Sequence, residues 1–222
     1  MRPDEVLDTL QRAGFEAWYV GGCVRDTLLG RPIHDWDVTT SALPEQVLAL
    51  FPRTVPTGLQ HGTVTVLSDS GPVEVTTYRA DEDYHDGRHP DGVRFVRSLR
   101  GDPARRDLTG NARAMDQRGN IRDFYGGRAD LAAGILRCVG APERRFREDA
   151  LRMLRACRFA AQLGFAIEPE TWAALLRCAP LCKQLSRERI TEEVTKTIRS
   201  PSPQWAAAMI RCGLLTSCCL TG

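Results

Sequence analysis

The spacing of apolar residues changes near Gly140, and this change limits the chain to a fold with two kinds of packing. Before it, short apolar runs bounded by glycine, proline and polar turns alternate with helical patterns, which predicts a small mixed sheet with flanking helices. From Glu143 onward, apolar residues recur at helical spacing. The sequence therefore predicts an α+β fold, with a sheet-containing head at 1–140 and a helical neck at 141–222.

The same spacing predicts individual elements. In the head it predicts helices at Pro3–Ala13 and Val24–Leu29, strands at Ala17–Val20 and Asp35–Thr39, and a hairpin of Thr63–Leu67 with Pro72–Tyr78. In the neck it predicts four helices, at Glu143–Leu163, Pro169–Cys178, Ser186–Ile198 and Pro203–Cys212. The segment Ala80–Gly92 is charged and rich in glycine and proline, so we expect it to be a loop.

Composition excludes few classes of protein. The sequence has no run of about 18 apolar residues and no basic-then-apolar N-terminal pattern, so we expect a cytoplasmic protein without a membrane span. The eight cysteines form no Cys-x-x-Cys pair, which favours buried reduced thiols over a zinc site.

Lys183 and Lys196 are the only lysines among 30 basic residues. Arginine binds phosphates well, but a GC-rich genome produces the same bias, so composition alone does not indicate nucleic-acid binding.

Asp35 and Asp37 are the strongest candidates for a metal site. They are two apart in a predicted strand, so both carboxylates lie on one face. Two carboxylates at the end of a strand suit Mg²⁺, which takes oxygen ligands and keeps positions for water and phosphates. An isolated Asp-x-Asp is more often a surface or turn feature, so its context decides.

Gly21 and Gly22 fall between a predicted strand and a predicted helix. Small residues at such a junction let backbone N–H groups approach a triphosphate, and Arg25 follows about one turn later. The alternative is a tight turn in which Arg25 pairs with Asp26. No Gly-x-x-x-x-Gly-Lys and no Gly-x-Gly-x-x-Gly pattern is present, which argues against a P-loop enzyme and a dinucleotide-binding domain.

Several segments resemble motifs of the class II tRNA nucleotidyltransferases and bacterial poly(A) polymerases. They are GGCVRDTLLGRPIHDWDVTTSALPE from Gly21, HGT from His61, EVTTYR from Glu74, RRDLTGNA from Arg105, DFYGGRADL from Asp123 and RFREDALRMLRACRF from Arg145. They occur in the family's order, and the resemblance extends from about Trp18 to Ile198. It implies a polymerase-beta-like nucleotidyltransferase head followed by an all-α neck.

The resemblance also implies roles for matching residues. Asp35 and Asp37 would be the catalytic residues and would hold two Mg²⁺ ions, one lowering the pKa of the RNA 3′-hydroxyl and the other holding the triphosphate. Glu74 is either a third carboxylate near them or an exposed residue of an alternating strand. Arg106, with Asp107 and Asn111, would contact sugar and phosphate. CTP and ATP would be bound by Gly22, Arg25, Arg106, Asp149, Arg152, Arg155 and Arg158.

Asp149 and Arg152 suggest how bases are chosen. Cytosine and adenine both present an exocyclic amine beside a ring-nitrogen acceptor, so a carboxylate and a guanidinium can pair with either base. Guanine and uracil present the reverse, leaving buried groups unsatisfied at a cost of about 1–3 kcal/mol each. The alternative is that Asp149, Arg152, Arg155 and Arg158 form only a solvated row of ion pairs.

The family contains several activities. We expect transfer of CMP and AMP from CTP and ATP to the 3′ end of tRNA. The segment Asp86–Pro90 resembles part of a loop that CC-only enzymes lack, which favours full CCA addition or A-only addition. A-adding and poly(A)-adding activities are the alternatives. The chain ends at Gly222, where family members continue into further helices, so we expect 141–222 to include the start of a truncated body. A nucleotide- or RNA-binding module with little activity is the alternative of a different class, and the sequence does not determine the oligomeric state.

One residue departs from the family pattern. Arg113 stands where the family has an apolar side chain, so an inward-pointing Arg113 would bury a charge.

Overall fold

The computed structural model describes residues 1–81, 93–96, 98–99, 103 and 105–215. Its helices and mixed sheet confirm the predicted α+β class. The described residues pack as two compact units, the first formed by residues up to 106 together with 110–127, and the second by 107–109 and 128–215. The two units are therefore interleaved along the chain at 107–109. The domain boundary expected near Gly140 stays a prediction.

The first unit contains a seven-stranded sheet. Its strands are β1 (Ala17–Val20), β2 (Trp36–Thr40), β3 (Thr54–Gly58), β4 (Thr63–Ser68), β5 (Gly71–Thr77), β8 (Arg113–Met115) and β9 (Ile121–Asp123), in the order β3-β4-β5-β2-β1-β8-β9. Strands β2 and β5 pair in parallel, and the other neighbours pair antiparallel. A separate pair joins β6 (Arg79–Asp81) to β7 (Val93–Phe95). The strand Ala17–Val20 and the β4–β5 hairpin were predicted, whereas β3, β8 and β9 were not.

Helices cover one face of this sheet. They are α1 (Pro3–Arg12), α2 (Gly22–Leu28) and α3 (Pro44–Leu50). Alternate strand residues such as Val38, Val64 and Val75 pack with Leu7 and Leu10 of α1 in one apolar core. Because side chains alternate along a strand, Asp37 is on the opposite face from Val38.

The second unit is mainly helical. It contains most of α4 (Gly127–Ala133), then α5 (Pro142–Glu148), α6 (Leu151–Leu163), α7 (Pro169–Cys178), α8 (Arg187–Ile198) and α9 (Gln204–Arg211), with short paired strands β10 (Ile135–Leu136) and β11 (Ala166–Ile167). Its core includes Phe146, Leu154 and Leu175. The predicted helices corresponding to α7, α8 and α9 are confirmed to within a residue at each end.

The predicted single helix Glu143–Leu163 is wrong, because the chain leaves the helical conformation at Asp149. Its backbone there is extended, with φ −149° and ψ 107°. The Asp149 carboxylate accepts a hydrogen bond from the Leu151 N–H at 3.0 Å, at the start of α6. Aspartate side chains compete in this way with the helical hydrogen bonds of the backbone, which favours a break.

Other predictions have different outcomes. Arg113 points inward and so buries a charge, the outcome that its departure from the family pattern suggested. Only 1% of its surface is exposed, and its guanidinium donates to the Gly110 carbonyl oxygen. The first two residues of the expected loop, Ala80 and Asp81, belong to β6. Its residues 82–92 lie outside the described residues, as do 216–222.

The described cysteines carry free thiols, and five of them are buried, as predicted: Cys23, Cys138, Cys157, Cys178 and Cys182. Within the described residues, the longest apolar stretches of helix are too short to cross a bilayer.

Candidate active site

The turn between β1 and α2 brings together two of the candidates, Asp37 and Arg106. Gly21 has φ +73°, in the left-handed region where residues with a side chain are disfavoured. A Cβ added at Gly21 would lie 2.9 Å from Oδ2 of Asp37 and 2.9 Å from a terminal guanidinium nitrogen of Arg106. The Asp37 carboxylate and the Arg106 guanidinium therefore both approach the backbone of Gly21, which carries no side chain.

The two aspartates flank Trp36, the first residue of β2. Asp37 is in the strand and half-buried, whereas Asp35 is exposed and precedes the strand, which runs one residue later than predicted. Asp37 is opposite Glu74 of β5 in the parallel register, so their side chains are neighbours on one face, and Glu74 is exposed. These hard oxygen ligands suit a divalent cation. No group of three or more His, Cys, Asp or Glu side chains poised for a metal occurs in the part of the chain that the structure describes.

Arg25 is held on two sides. Its guanidinium donates to both carboxylate oxygens of Asp26, at 3.0 and 2.7 Å, so the ion pair expected as the local alternative is present. It also donates to Oδ1 of Asn111 at 3.0 Å, a long-range contact between two of the family-like segments. Both contacts fix the direction of a guanidinium whose side chain is only 13% exposed.

In the second unit, Asp149 and Arg152 have different partners. Asp149 accepts from a terminal nitrogen of Arg189 at 3.3 and 3.0 Å. Arg152 donates to Glu148 at 2.7 Å and to the Arg145 carbonyl oxygen at 3.3 Å. The two predicted base-reading residues are thus each held by a residue that sequence reasoning did not assign to the site.

Arg155 and Arg158 lie on α6 beside Phe159. Arg155 donates through Nε to Asp107 at 2.7 Å, and the negative charge of Asp107 raises the pKa of this guanidinium. Arg158 lies 4.0 Å from the centre of the Phe159 ring and donates to Glu193 at 2.6 Å. Burial lowers the pKa of Arg158, and the charge of Glu193 opposes this effect. Since Arg152 and Arg158 are 8% and 9% exposed, the solvated-row alternative is wrong for both.

The candidates divide between the two units. Gly22, Arg25, Asp35, Asp37 and Arg106 belong to the first, and Asp149, Arg152, Arg155 and Arg158 belong to the second.

The partners that sequence reasoning missed are Glu148, Arg189 and Glu193. Helical spacing could have indicated Glu148, which is four residues before Arg152. Arg189 and Glu193 are distant in sequence from the residues they bind, and no local pattern indicates them.

Family models match two parts of the chain. The "Poly A polymerase head domain" matches residues 17–137, and the "Probable RNA and SrmB- binding site of polymerase A" matches residues 164–218. A CCA-adding enzyme of Geobacillus stearothermophilus is 52% identical over 196 residues, which is 88% of this chain and 48% of the relative. The chain thus spans about half the length of the curated relatives it matches.

Solved structures agree with these matches. A Bacillus stearothermophilus CCA-adding enzyme in complex with CTP superposes with a TM-score of 0.87 at 46% identity, over 96% of this chain and 53% of that one. A tRNA nucleotidyltransferase complexed with a primer tRNA and an incoming ATP analogue superposes with a TM-score of 0.75 at 27% identity, over 93% and 59% of the two chains.

Proposed function

The chain belongs to the class II tRNA nucleotidyltransferase and poly(A) polymerase family, and from this membership we propose that it transfers CMP and AMP from CTP and ATP to the 3′ end of tRNA. The reaction would complete or repair the CCA end and release pyrophosphate. In this proposal residues 1–140 are the catalytic head and 141–222 the helical neck that reads the base. Because tRNA is the substrate, we expect the reaction in the cytoplasm.

The observation that carries the proposal is the convergence of Asp37 and Arg106 on the Gly21 backbone. A carboxylate and a guanidinium side by side offer adjacent places for a cation and for a phosphate group. Asp35 and Asp37 would hold Mg²⁺, which when bound would acidify the RNA 3′-hydroxyl and neutralise charge on the triphosphate.

The chain's own residues would position the triphosphate. The planar fork of Arg106 suits two oxygens of one phosphate. The small residues Gly21 and Gly22 would let their backbone N–H groups approach a third phosphate oxygen. Arg25, held by Asp26 and Asn111, would bind the nucleotide beside them. Holding the α-phosphorus in line between the attacking hydroxyl and the leaving pyrophosphate removes much of the entropic barrier.

The neck would choose the base. Asp149 would accept a hydrogen bond from the exocyclic amine of cytosine or adenine, and Arg152 would donate to the ring nitrogen. Arg155 and Arg158 would add positive charge beside the nucleotide. The carboxylate would repel the carbonyl oxygen of uracil or guanine, which sets the preference for C and A.

The test is incorporation into tRNA that lacks its 3′ CCA, with each nucleoside triphosphate supplied alone and in combination in the presence of Mg²⁺. We expect two CMP residues from CTP, one AMP added after them, and no use of UTP or GTP. Asp37→Asn should abolish incorporation without changing the melting temperature, whereas Glu45→Gln, an exposed carboxylate on α3, should behave as wild type.

Other products would assign another activity. Addition of AMP alone indicates an A-adding enzyme, and long AMP runs indicate a poly(A) polymerase. A folded wild-type chain that binds CTP but incorporates nothing would refute the enzyme proposal in favour of a binding module.

A further inference from the structure

Asp149 is held by two different helices. Its Oδ1 accepts from the Leu151 N–H at 3.0 Å, at the start of α6. A terminal nitrogen of Arg189, on α8, lies 3.3 Å from Oδ1 and 3.0 Å from Oδ2. Both side chains are mostly buried, with 20% of Arg189 and 17% of Asp149 exposed. The carboxylate is therefore fixed by residues from two helices, α6 and α8.

Arg189 is itself anchored. It is in the first turn of α8, where its N–H donates to Oγ of the capping residue Ser186 at 3.5 Å. Helix α8 also joins α6 through the buried Arg158–Glu193 ion pair. The Arg189 guanidinium therefore reaches Asp149 from a helix whose start and packing are both fixed.

The second contact matters because an aspartate carboxylate rotates easily. The last side-chain torsion of aspartate is broad, so one hydrogen bond from Leu151 does not fix the carboxylate plane. The Arg189 nitrogen touches both oxygens, which restricts that rotation. A carboxylate offers about four acceptor positions, so these contacts leave room for one more donor.

We propose that Arg189 is a positioning residue for base choice. By fixing the plane of the Asp149 carboxylate, it directs a remaining acceptor position toward the exocyclic amine of cytosine or adenine. This inference rests on the proposed function and adds a residue that acts on selectivity without touching the nucleotide. A carboxylate that rotates freely would still attract amines, but it would discriminate less sharply against uracil and guanine.

A purely structural role has a different signature. If Arg189 only tied α8 to α5 and α6, its loss would lower stability and depress the use of all nucleotides equally. The ratio of CTP use to UTP use would then stay constant. That ratio is therefore the measurement that separates positioning from packing.

The experiment compares Arg189→Gln with Arg187→Gln, an exposed arginine on the same helix. Steady-state kcat/KM for CTP, ATP, UTP and GTP is measured on tRNA lacking CCA, with melting temperatures recorded in parallel. We expect Arg189→Gln to lower kcat/KM for CTP by about tenfold or more, as misplaced groups do, and to narrow the CTP-to-UTP ratio by a similar factor. Arg187→Gln should match wild type.

A second comparison tests whether Arg189 acts on base choice through Asp149. In the Asp149→Ala background, Arg189→Gln should cause no further change in the CTP-to-UTP ratio, because the group that it positions is absent. If Arg189→Gln melts below the assay temperature, Arg189→Lys keeps the charge and should narrow the ratio in the same direction.

The inference is overturned if the folded Arg189 variant keeps the wild-type CTP-to-UTP ratio, or if it changes that ratio equally with and without Asp149. Failure of the proposed function looks different, because the wild-type chain would then incorporate no CMP or AMP at all.

Discussion

At the scale of single residues, the backbone of Gly21 leaves space that two charged side chains use. Gly21→Ala would combine an unfavourable φ, at a cost of about 1–3 kcal/mol, with a Cβ 2.9 Å from both Asp37 and Arg106. Gly14→Ala is a matched control, since Gly14 has φ +87° and a Cβ there meets nothing within 4 Å. We expect both variants to lose stability in urea unfolding, with the larger loss in Gly21→Ala because of the added close contacts, but only Gly21→Ala to lose nucleotide incorporation.

The comparison has a clear contrary outcome. If Gly14→Ala and Gly21→Ala keep the same kcat/KM for CTP, the convergence at Gly21 has no part in the reaction. The unfilled space at Gly21 would then have no part in the reaction either, because an alanine side chain would be tolerated beside Asp37 and Arg106.

At the scale of elements, α6 and α8 are joined by a buried ion pair. Arg158 and Glu193 are 9% and 4% exposed, and Nε of Arg158 lies 2.6 Å from Glu193. Glu193→Gln would leave a buried arginine without its counter-charge, and breaking such a pair costs about 3–5 kcal/mol. Glu192 is the adjacent control, because it is 62% exposed and pairs with Lys196 on the same helix. Glu192→Gln should cost under about 1 kcal/mol.

Urea unfolding of the two glutamine variants measures this difference. Equal losses of unfolding free energy in Glu192→Gln and Glu193→Gln would show that the α6–α8 pair is as weak as a surface pair. The packing of α8 would then rest on its other contacts, which include the buried Ile190 and the Arg189–Asp149 ion pair.

At the scale of the whole molecule, buried thiols make stability depend on pH. Burial raises the pKa of Cys23 to about 11 and of Cys138 to about 12, from an ordinary value of 9.0, and it also raises that of Cys157. Well below pH 9 these thiols are protonated in both the folded and the unfolded state and contribute no pH dependence. Above pH 9 they ionise first in the unfolded chain, so stability falls as the pH rises toward the folded pKa values. At pH 10 the loss is about 1.4 kcal/mol per thiol.

Urea unfolding at pH 8 and pH 10 tests this dependence. Cys138→Ala should lose less stability between the two pH values than wild type, by the contribution of one thiol, whatever its stability at pH 8. An identical loss in Cys138→Ala and wild type would mean that other groups cause the pH dependence.

The sequence by itself determined the fold class, most of the long helices and the positions of the candidate residues. Apolar spacing was enough for α1, α7 and α8, because a helix that buries one face must repeat its apolar residues every turn. Alternation in β2 was enough to separate Asp37 from the apolar core. Six short segments between Gly21 and Phe159 together indicated a nucleotidyltransferase by their resemblance to the family, because the residues of each segment are close together in the chain.

Only the tertiary structure decided which residues hold the candidates in place. Arg25 meets Asn111, Asp149 meets Arg189, and Arg158 meets Glu193, each across a long stretch of chain. The break at Asp149 and the interleaving of 107–109 with the second unit were equally invisible in the sequence pattern. The physical reason is that local spacing fixes which face of an element is buried, whereas the partner of a buried charge depends on how distant elements pack together.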